Sequence, residues 1–132
     1  KALGVDMAIC YKQREVVNQV ASMTVIGDVK GKDIIIVDDM CDTAGTLTKA
    51  ASLMMDYGAT SVRAICTHGV LSGPAYDRIE DSVLSEFIIA DTIPIKEGVP
   101  TSKITVLPVH DMFAQVLKCL MSNESISSHF NF

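Results

Sequence analysis

Residues 34–57 constrain the fold of this chain more than any other segment. The apolar run Ile34–Val37 predicts a buried strand, and this strand ends in two adjacent carboxylates, Asp38 and Asp39. After a turn of small residues, an apolar periodicity predicts a helix over Thr46–Tyr57 that stops before a glycine. Such a segment is typical of a site for a phosphorylated sugar, because amides of a loop that enters a helix converge on an anion.

The loop residues suggest separate roles. Gly45 lets an anion come close to the backbone. Asp42 has the same charge sign as a phosphate, so we expect it to accept hydrogen bonds from the loop's own amides or to act as a general base near the sugar. Asp38 and Asp39 point to opposite faces of a strand, so one can take ribose hydroxyls or hydrated Mg²⁺ while the other braces the loop. The turn Thr43–Thr46 could instead be plain helix capping.

The whole chain alternates between strand and helix patterns. Strands are predicted at Val5–Cys10, Val25–Asp28, Ile34–Val37, Val62–His68, Phe87–Ala90 and Ile104–Leu107, and the further helices at Ala75–Asp81 and Val109–Met121. Residues 11–24 are polar and are predicted to form a mobile excursion. The pattern predicts a single α/β domain, with a mostly parallel sheet covered by helices on both faces. Ligands of such sheets bind at the carboxyl ends of strands, and the residues that fall there are Lys12, Asp38, His68 and Asp91.

Composition excludes several classes of protein. The 132 residues carry a net charge of −5 with three Tyr and no Trp, which argues against a nucleic-acid surface. No apolar stretch approaches the ~20 residues that a membrane helix needs. The four cysteines are widely spaced, which favours reduced thiols and a cytoplasmic location over a disulfide or zinc framework. The mean hydropathy of +0.32 predicts surface that another domain or sister subunits cover.

The loop segment 34–47 closely resembles the phosphoribosyl-diphosphate binding loop of the type I phosphoribosyltransferase superfamily. Within that superfamily, nearly the whole chain resembles the C-terminal half of the ribose-phosphate pyrophosphokinase family. Five further stretches match in the family's order: Lys12-Gln13-Arg14, Ile26–Val29, Thr67–Ala75, Asp91–Pro94, and Ser125–Ser127 with Phe130. Gln13 departs from the pattern, because many members carry another basic residue there.

The resemblance implies an enzyme that transfers the diphosphoryl group of ATP to the 1-hydroxyl of ribose 5-phosphate with Mg²⁺. The 5-phosphate would be held by Asp42, Thr43, Ala44, Gly45 and Thr46, and the ribose diol and the metal by Asp38 and Asp39. Lys12 and Arg14 would belong to a basic catalytic loop that stabilises the transferring group.

The resemblance also implies partners and regulation. Family members bind ATP mostly through an N-terminal half, so we expect this chain, which begins at Lys1, to be one domain of a longer enzyme and inactive alone. Ser125 and Ser127 would help to bind an effector phosphate, from phosphate or ADP, between subunits of a homo-hexamer.

Other interpretations stay open at this point. The same fold could serve a phosphoribosyltransferase or a non-catalytic regulatory module, and an acidic pair after a strand also occurs in receiver domains that bind Mg²⁺. Lys12 and Arg14 could be solvated surface charges, and His68 could have a structural role.

Overall fold

The computed structural model describes residues 4–12, 23–100 and 102–127. It contains two sheets. Strands β1 (Ile9–Lys12) and β2 (Met23–Ile26) pair antiparallel, with Ile9 opposite Ile26. The main sheet has the order β3-β4-β5-β6 and all of its pairs are parallel. Its strands are β3 (Asp33–Cys41), β4 (Ser61–Gly69), β5 (Glu86–Ala90) and β6 (Ile104–Leu107).

Three helices accompany the main sheet: α1 (Gly45–Asp56), α2 (Ala75–Glu80) and α3 (His110–Met121). Helix α1 joins β3 to β4 and α2 joins β4 to β5. Each new strand adds to the same edge, so crossovers of one handedness place both helices on one face of the sheet. The α/β class with a mostly parallel sheet is therefore confirmed, but α1 and α2 cover one face of the sheet, whereas helices on both faces were predicted.

The core lies between this face and the two helices. From the strands it takes Val62, Ala64, Cys66, Phe87 and Ile89, and from the helices Leu47, Ala51, Met54, Ala75 and Ile79, all buried. The opposite face of the sheet is apolar yet open in the described part of the chain, because Ile35, Val37 and Ile65 all remain exposed. Helix α3 buries only Cys119. These exposed apolar side chains account for the high mean hydropathy.

Three predicted strand boundaries were wrong. Strand β3 continues four residues beyond Val37, because the backbone pairing with β4 extends through Met40 opposite His68 and Cys41 opposite Gly69. The acidic pair therefore lies inside the strand. The first two strands are shifted to Ile9–Lys12 and Met23–Ile26, because these segments pair with each other, whereas the exposed residues before Ile9 have no partner strand among the described residues. Most of the predicted excursion, residues 13–22, lies outside the described residues.

Candidate functional site

The acidic pair sits near the carboxyl end of β3, at the edge of the sheet where parallel strands gather ligands. Both carboxylates are exposed, and Asp38 Oδ1 accepts a hydrogen bond from the Asp39 N–H at 2.9 Å. That bond fixes the direction of one carboxylate and leaves the Asp39 side chain open. The arrangement offers oxygen ligands at the rim of the sheet.

The loop after β3 delivers a helix whose first turn is open. Ala44 precedes α1 with φ 58° and ψ 0°, a left-handed conformation that an alanine rarely adopts, and its side chain is buried. No side chain caps this helix, so the alternative of plain capping by Thr43 or Thr46 is not what the structure shows. The amides of residues 45–47 have no intrahelical acceptor and find none elsewhere in the described ranges. Together with the helix dipole, they form a candidate anion site.

The loop that follows β4, residues 70–74, and helix α2 both bond to the loop that follows β3, residues 42–44. The amide N–H groups of Leu71 and Ser72 donate to the carbonyls of Cys41 and Asp42 at 3.1 and 3.0 Å. Arg78 Nη1 donates to the carbonyl of Thr43 at 2.9 Å. Three consecutive carbonyls therefore face the segment 71–78, away from the open amides of α1.

Asp42 has a partner that differs from the expected one. Its Oδ1 accepts a hydrogen bond from the Ser72 hydroxyl, and no amide of its own loop donates to it within the described part of the chain. The carboxylate therefore joins the two loops. This pairing takes Asp42 Oδ1 out of competition with an anion for the loop amides.

The Cys41 thiol lies under the loop. Burial raises the pKa of this thiol to about 11, the neighbouring Cys66 acts in the same direction, and the amide of Ala44 opposes both by donating to the sulfur. The thiol is therefore neutral at physiological pH. Its role is packing and the orientation of the Ala44 amide.

His68 is tied to the next strand connection. Thr92 donates its hydroxyl to the carbonyl of Thr67 at 3.1 Å, so its single hydroxyl proton is used there. The 2.9 Å contact between His68 Nδ1 and Thr92 Oγ1 then requires Nδ1 to be the donor, which leaves Nε2 as an acceptor when the ring is neutral. Asp91 follows β5, and its Oδ1 accepts from the Val109 N–H at 2.9 Å, so it holds the residue that precedes α3.

The remaining predicted site residues lie in other parts of the chain or outside the described residues. Lys12 ends β1, and Arg14 lies outside the described residues, as do Phe130 and Gln13. Ser125 and Ser127 follow α3 and bond to each other, with 3.1 Å between the hydroxyl oxygens and 3.3 Å from the Ser127 amide to Ser125 Oγ. No recorded hydrogen bond joins this pair to residues 42–46 in the described ranges.

Sequence reasoning missed two residues that shape the loop, Ser72 and Arg78. Ser72 belongs to the stretch Thr67–Ala75 that resembles the family, but the sequence alone did not indicate that it would bond to Asp42. Arg78 carried no signal, since an arginine on a short helix reads as surface charge. An open groove of about 800 Å³ between α1 and α2 is lined by Arg78, Lys49 and Gly45, but not by the acidic pair. The groove therefore includes the predicted 5-phosphate residues Thr43, Gly45 and Thr46, while the acidic pair lies outside it.

The carboxylates fit Mg²⁺ in one particular way. No group of three His, Cys, Asp or Glu side chains that could cage a metal occurs in the described residues. Mg²⁺, however, usually keeps several waters and uses only one or two carboxylates plus the phosphates of its substrate. The exposed side chains of Asp38 and Asp39 match this second pattern, and a protein cage is not required.

Fold and site together define an α/β domain that offers a helix N-terminus and carboxylates at one edge of a parallel sheet. Comparison with known proteins narrows this class. Residues 7–131 match the family described as phosphoribosyl synthetase-associated domain. The chain belongs to this family, and the resemblance drawn from its sequence is confirmed.

Curated relatives and a solved structure agree with this assignment. The chain is 51% identical over 130 residues to a ribose-phosphate pyrophosphokinase of Campylobacter jejuni, covering 98% of this chain and 41% of that protein. It is 48% identical over 132 residues to the protein of the same name in Porphyromonas gingivalis, covering 42% of it. The crystal structure of phosphoribosylpyrophosphate synthetase from Mycobacterium smegmatis superposes with a TM-score of 0.83 at 38% identity over 92% of this chain and 39% of that one. The chain thus spans about two-fifths of the length of these relatives.

No helix in the described part of the chain has the length and apolar character to cross a membrane.

Proposed function

We propose that this chain binds ribose 5-phosphate, and its product phosphoribosyl diphosphate, as the sugar-phosphate part of a ribose-phosphate diphosphokinase. The observation that carries the proposal is the open first turn of α1, whose amides have no partner among the described residues, while three loop carbonyls bond to the segment 71–78. A 5-phosphate supplies the missing acceptors. The names of the relatives support the choice of this sugar phosphate over other anions.

In the proposed site, the open amides of residues 45–47 and the hydroxyls of Thr43 and Thr46 in the loop 42–46 hold the 5-phosphate, and Asp38 and Asp39 hold the ribose hydroxyls and Mg²⁺. When bound, Mg²⁺ neutralises negative charge on the phosphates. The 1-hydroxyl oxygen attacks the β-phosphorus of ATP and gives up its proton to water, the bond from the β-phosphorus to the α–β bridging oxygen breaks, and AMP leaves. Lys12 and Arg14 stabilise the charge of the transferring group. Such a reaction depends on positioning and electrostatics rather than on a covalent intermediate.

The proposal divides the work between parts of the protein. About three-fifths of the length of each relative lies outside its alignment with this chain. We assign ATP binding chiefly to that part. We further propose a cytoplasmic homo-oligomer, with six copies by analogy to the family. The hydroxyl pair of Ser125 and Ser127 suits an effector phosphate or ADP at its subunit boundary.

Calorimetric titration of the chain with ribose 5-phosphate and Mg²⁺ tests this function. We expect saturable binding that ribose alone does not show, and no release of AMP when ATP is added. Asp39→Asn should weaken binding about tenfold or more, since a charge-assisted contact contributes about 1.5–3 kcal/mol. Asp33→Asn is the matched control, because Asp33 lies at the opposite end of the same strand and accepts from the Ser61 hydroxyl at 2.6 Å, which asparagine can still do. Equal affinity for ribose and ribose 5-phosphate would refute the anion site, and AMP release would refute the division of work.

A further inference from the structure

Three hydrogen bonds hold the carbonyls of residues 41–43 away from the start of α1, and Arg78 makes the one that comes from a side chain. The other two come from the main chain of Leu71 and Ser72, whereas the carbonyl of Thr43 depends on the Arg78 guanidinium at 2.9 Å. Arg78 lies 35 residues after Thr43 along the chain, so this hydrogen bond is a long-range contact. A substitution there can therefore remove a single loop contact and leave the main-chain pair intact.

The carbonyl end of the peptide unit between Thr43 and Ala44 is held by Arg78. In a trans peptide the C=O and the N–H point in opposite directions, so the bond from Arg78 to the Thr43 carbonyl also sets the direction of the Ala44 N–H. The side chain of Ala44 is buried at the same point of the loop.

That orientation is costly for Ala44. Its φ of 58° lies in the left-handed region, which is unfavourable for an L-residue because Cβ comes too close to a carbonyl oxygen. Rotation of the 43–44 peptide plane would change the φ of Ala44 and relieve the strain, but it would also turn the Thr43 carbonyl toward the start of α1. A carbonyl oxygen in that place repels an anion.

Gly45 leaves room for the guanidinium. A Cβ built on Gly45 would lie 3.3 Å from Arg78 Nη1, which is tight enough to displace that group by a few tenths of an ångström. The φ of Gly45 is not in the left-handed region, so the backbone conformation alone does not require glycine there. The side chain of Arg78 supplies a reason for it.

We propose that Arg78 is a positioning residue for the sugar-phosphate loop, which keeps the 43–44 peptide plane turned so that the amides of residues 45–47 face the phosphate. The proposal rests on the proposed function for its ligand, although its effect on the loop does not. Arg78 acts through Thr43 and does not itself touch the sugar phosphate.

The test compares Arg78→Ala and Arg78→Lys in the 132-residue chain, with affinity for ribose 5-phosphate and Mg²⁺ measured by calorimetry. Both variants are expected to lose at least about tenfold in affinity, because lysine keeps the charge but lacks the rigid planar fork. Arg63→Ala is the matched control and should bind like the parent. Arg63 is an exposed arginine near the amino end of β4 that pairs with Glu86 at 3.6 Å.

A second readout needs no ligand. Hydrogen exchange of the Ala44 amide, followed by NMR, should speed up in Arg78→Ala and stay unchanged in Arg63→Ala. Gly45→Ala should also weaken binding, yet add no further loss in the Arg78→Ala background, since the crowded group is then gone. Arg78→Lys and Gly45→Ala, each in the parent background, keep the test decisive if Arg78→Ala folds poorly.

Three results would overturn the proposal. Parent affinity in Arg78→Ala, with or without a lower melting temperature, would leave Arg78 a merely structural residue. Full affinity in Arg78→Lys would make Arg78 a direct charge partner of the anion. Unchanged Ala44 exchange would exclude an effect on the peptide plane. If the parent chain binds no sugar phosphate, the proposed function fails, and the exchange of the Ala44 amide still decides whether Arg78 sets the peptide plane.

Discussion

At the scale of single residues, the reactivity of the Cys41 thiol measures how well the loop of residues 42–44 buries it. Its pKa is raised from 9.0 to about 11, with burial as the largest cause. At pH 8 it should hold about a hundredfold less thiolate than an ordinary cysteine, and alkylation by iodoacetamide should be slower in proportion. A Cys41→Ser variant assigns the slow component by mass spectrometry. Alkylation at the rate of an unfolded control would contradict the buried, neutral thiol.

The same shift makes stability depend on pH. The Cys41 thiol binds its proton more tightly in the folded state than in the unfolded state. Its contribution to the free energy of unfolding is therefore complete below pH 9 and is lost as pH rises from about 9 to about 11. Denaturant unfolding across this window should show a fall in the free energy of unfolding that is smaller in Cys41→Ser.

Residue identity could be predicted where chemistry is local. The carboxylates and the small loop residues were found because a strand, an acidic pair and a helix start follow one another in sequence. The partners of Asp42 and Thr43 could not be found in this way, since Ser72 and Arg78 lie 30 and 35 residues further along the chain. Only pairing of the sheet brings them into contact.

At the scale of elements, hydrophobic patterning located the strands of the main sheet and all three helices to within a few residues. It misplaced the end of β3, because patterning measures burial whereas the strand is defined by backbone pairing, which continues through exposed residues up to Cys41. It likewise placed the first strand at Val5–Cys10 instead of Ile9–Lys12, because this strand is defined by its pairing with the short strand β2.

The junction of β4 with the loop of residues 70–74 offers a test of this packing. A Cβ on Gly69 would lie 2.8 Å from Cδ1 of the buried Ile89, so Gly69→Ala should lower the free energy of unfolding by about 1–3 kcal/mol. Adding Ile89→Val removes Cδ1, and the double variant should lose less than the two single changes together. Chemical denaturation measures all three, and a fully additive result would show that the two side chains do not compete.

At the scale of the whole molecule, helices α1 and α2 cover one face of the main sheet, and the other face is exposed in the described residues. Val37 and Val5 are each 75% exposed, but only Val37 belongs to the apolar sheet face with Ile35 and Ile65. We expect this face to drive association of the chain with itself, in line with the proposed homo-oligomer. Val37→Ser should reduce association in sedimentation velocity, whereas Val5→Ser, which removes the same side chain at the same exposure, should not. Equal sedimentation of both variants and the parent would refute this role of the face.

The long-range bonds behind the loop also have a kinetic and a practical consequence. A synthetic peptide of residues 33–57 would contain every residue of the predicted sugar-phosphate motif, yet it would lack Leu71, Ser72 and Arg78, which set the direction of its carbonyls. Closing a loop of some 30 residues has to precede those contacts, so the ability to bind should appear in refolding only when β4 and α2 are in place. The motif therefore cannot be transplanted as a contiguous segment, and a graft into another scaffold needs both stretches.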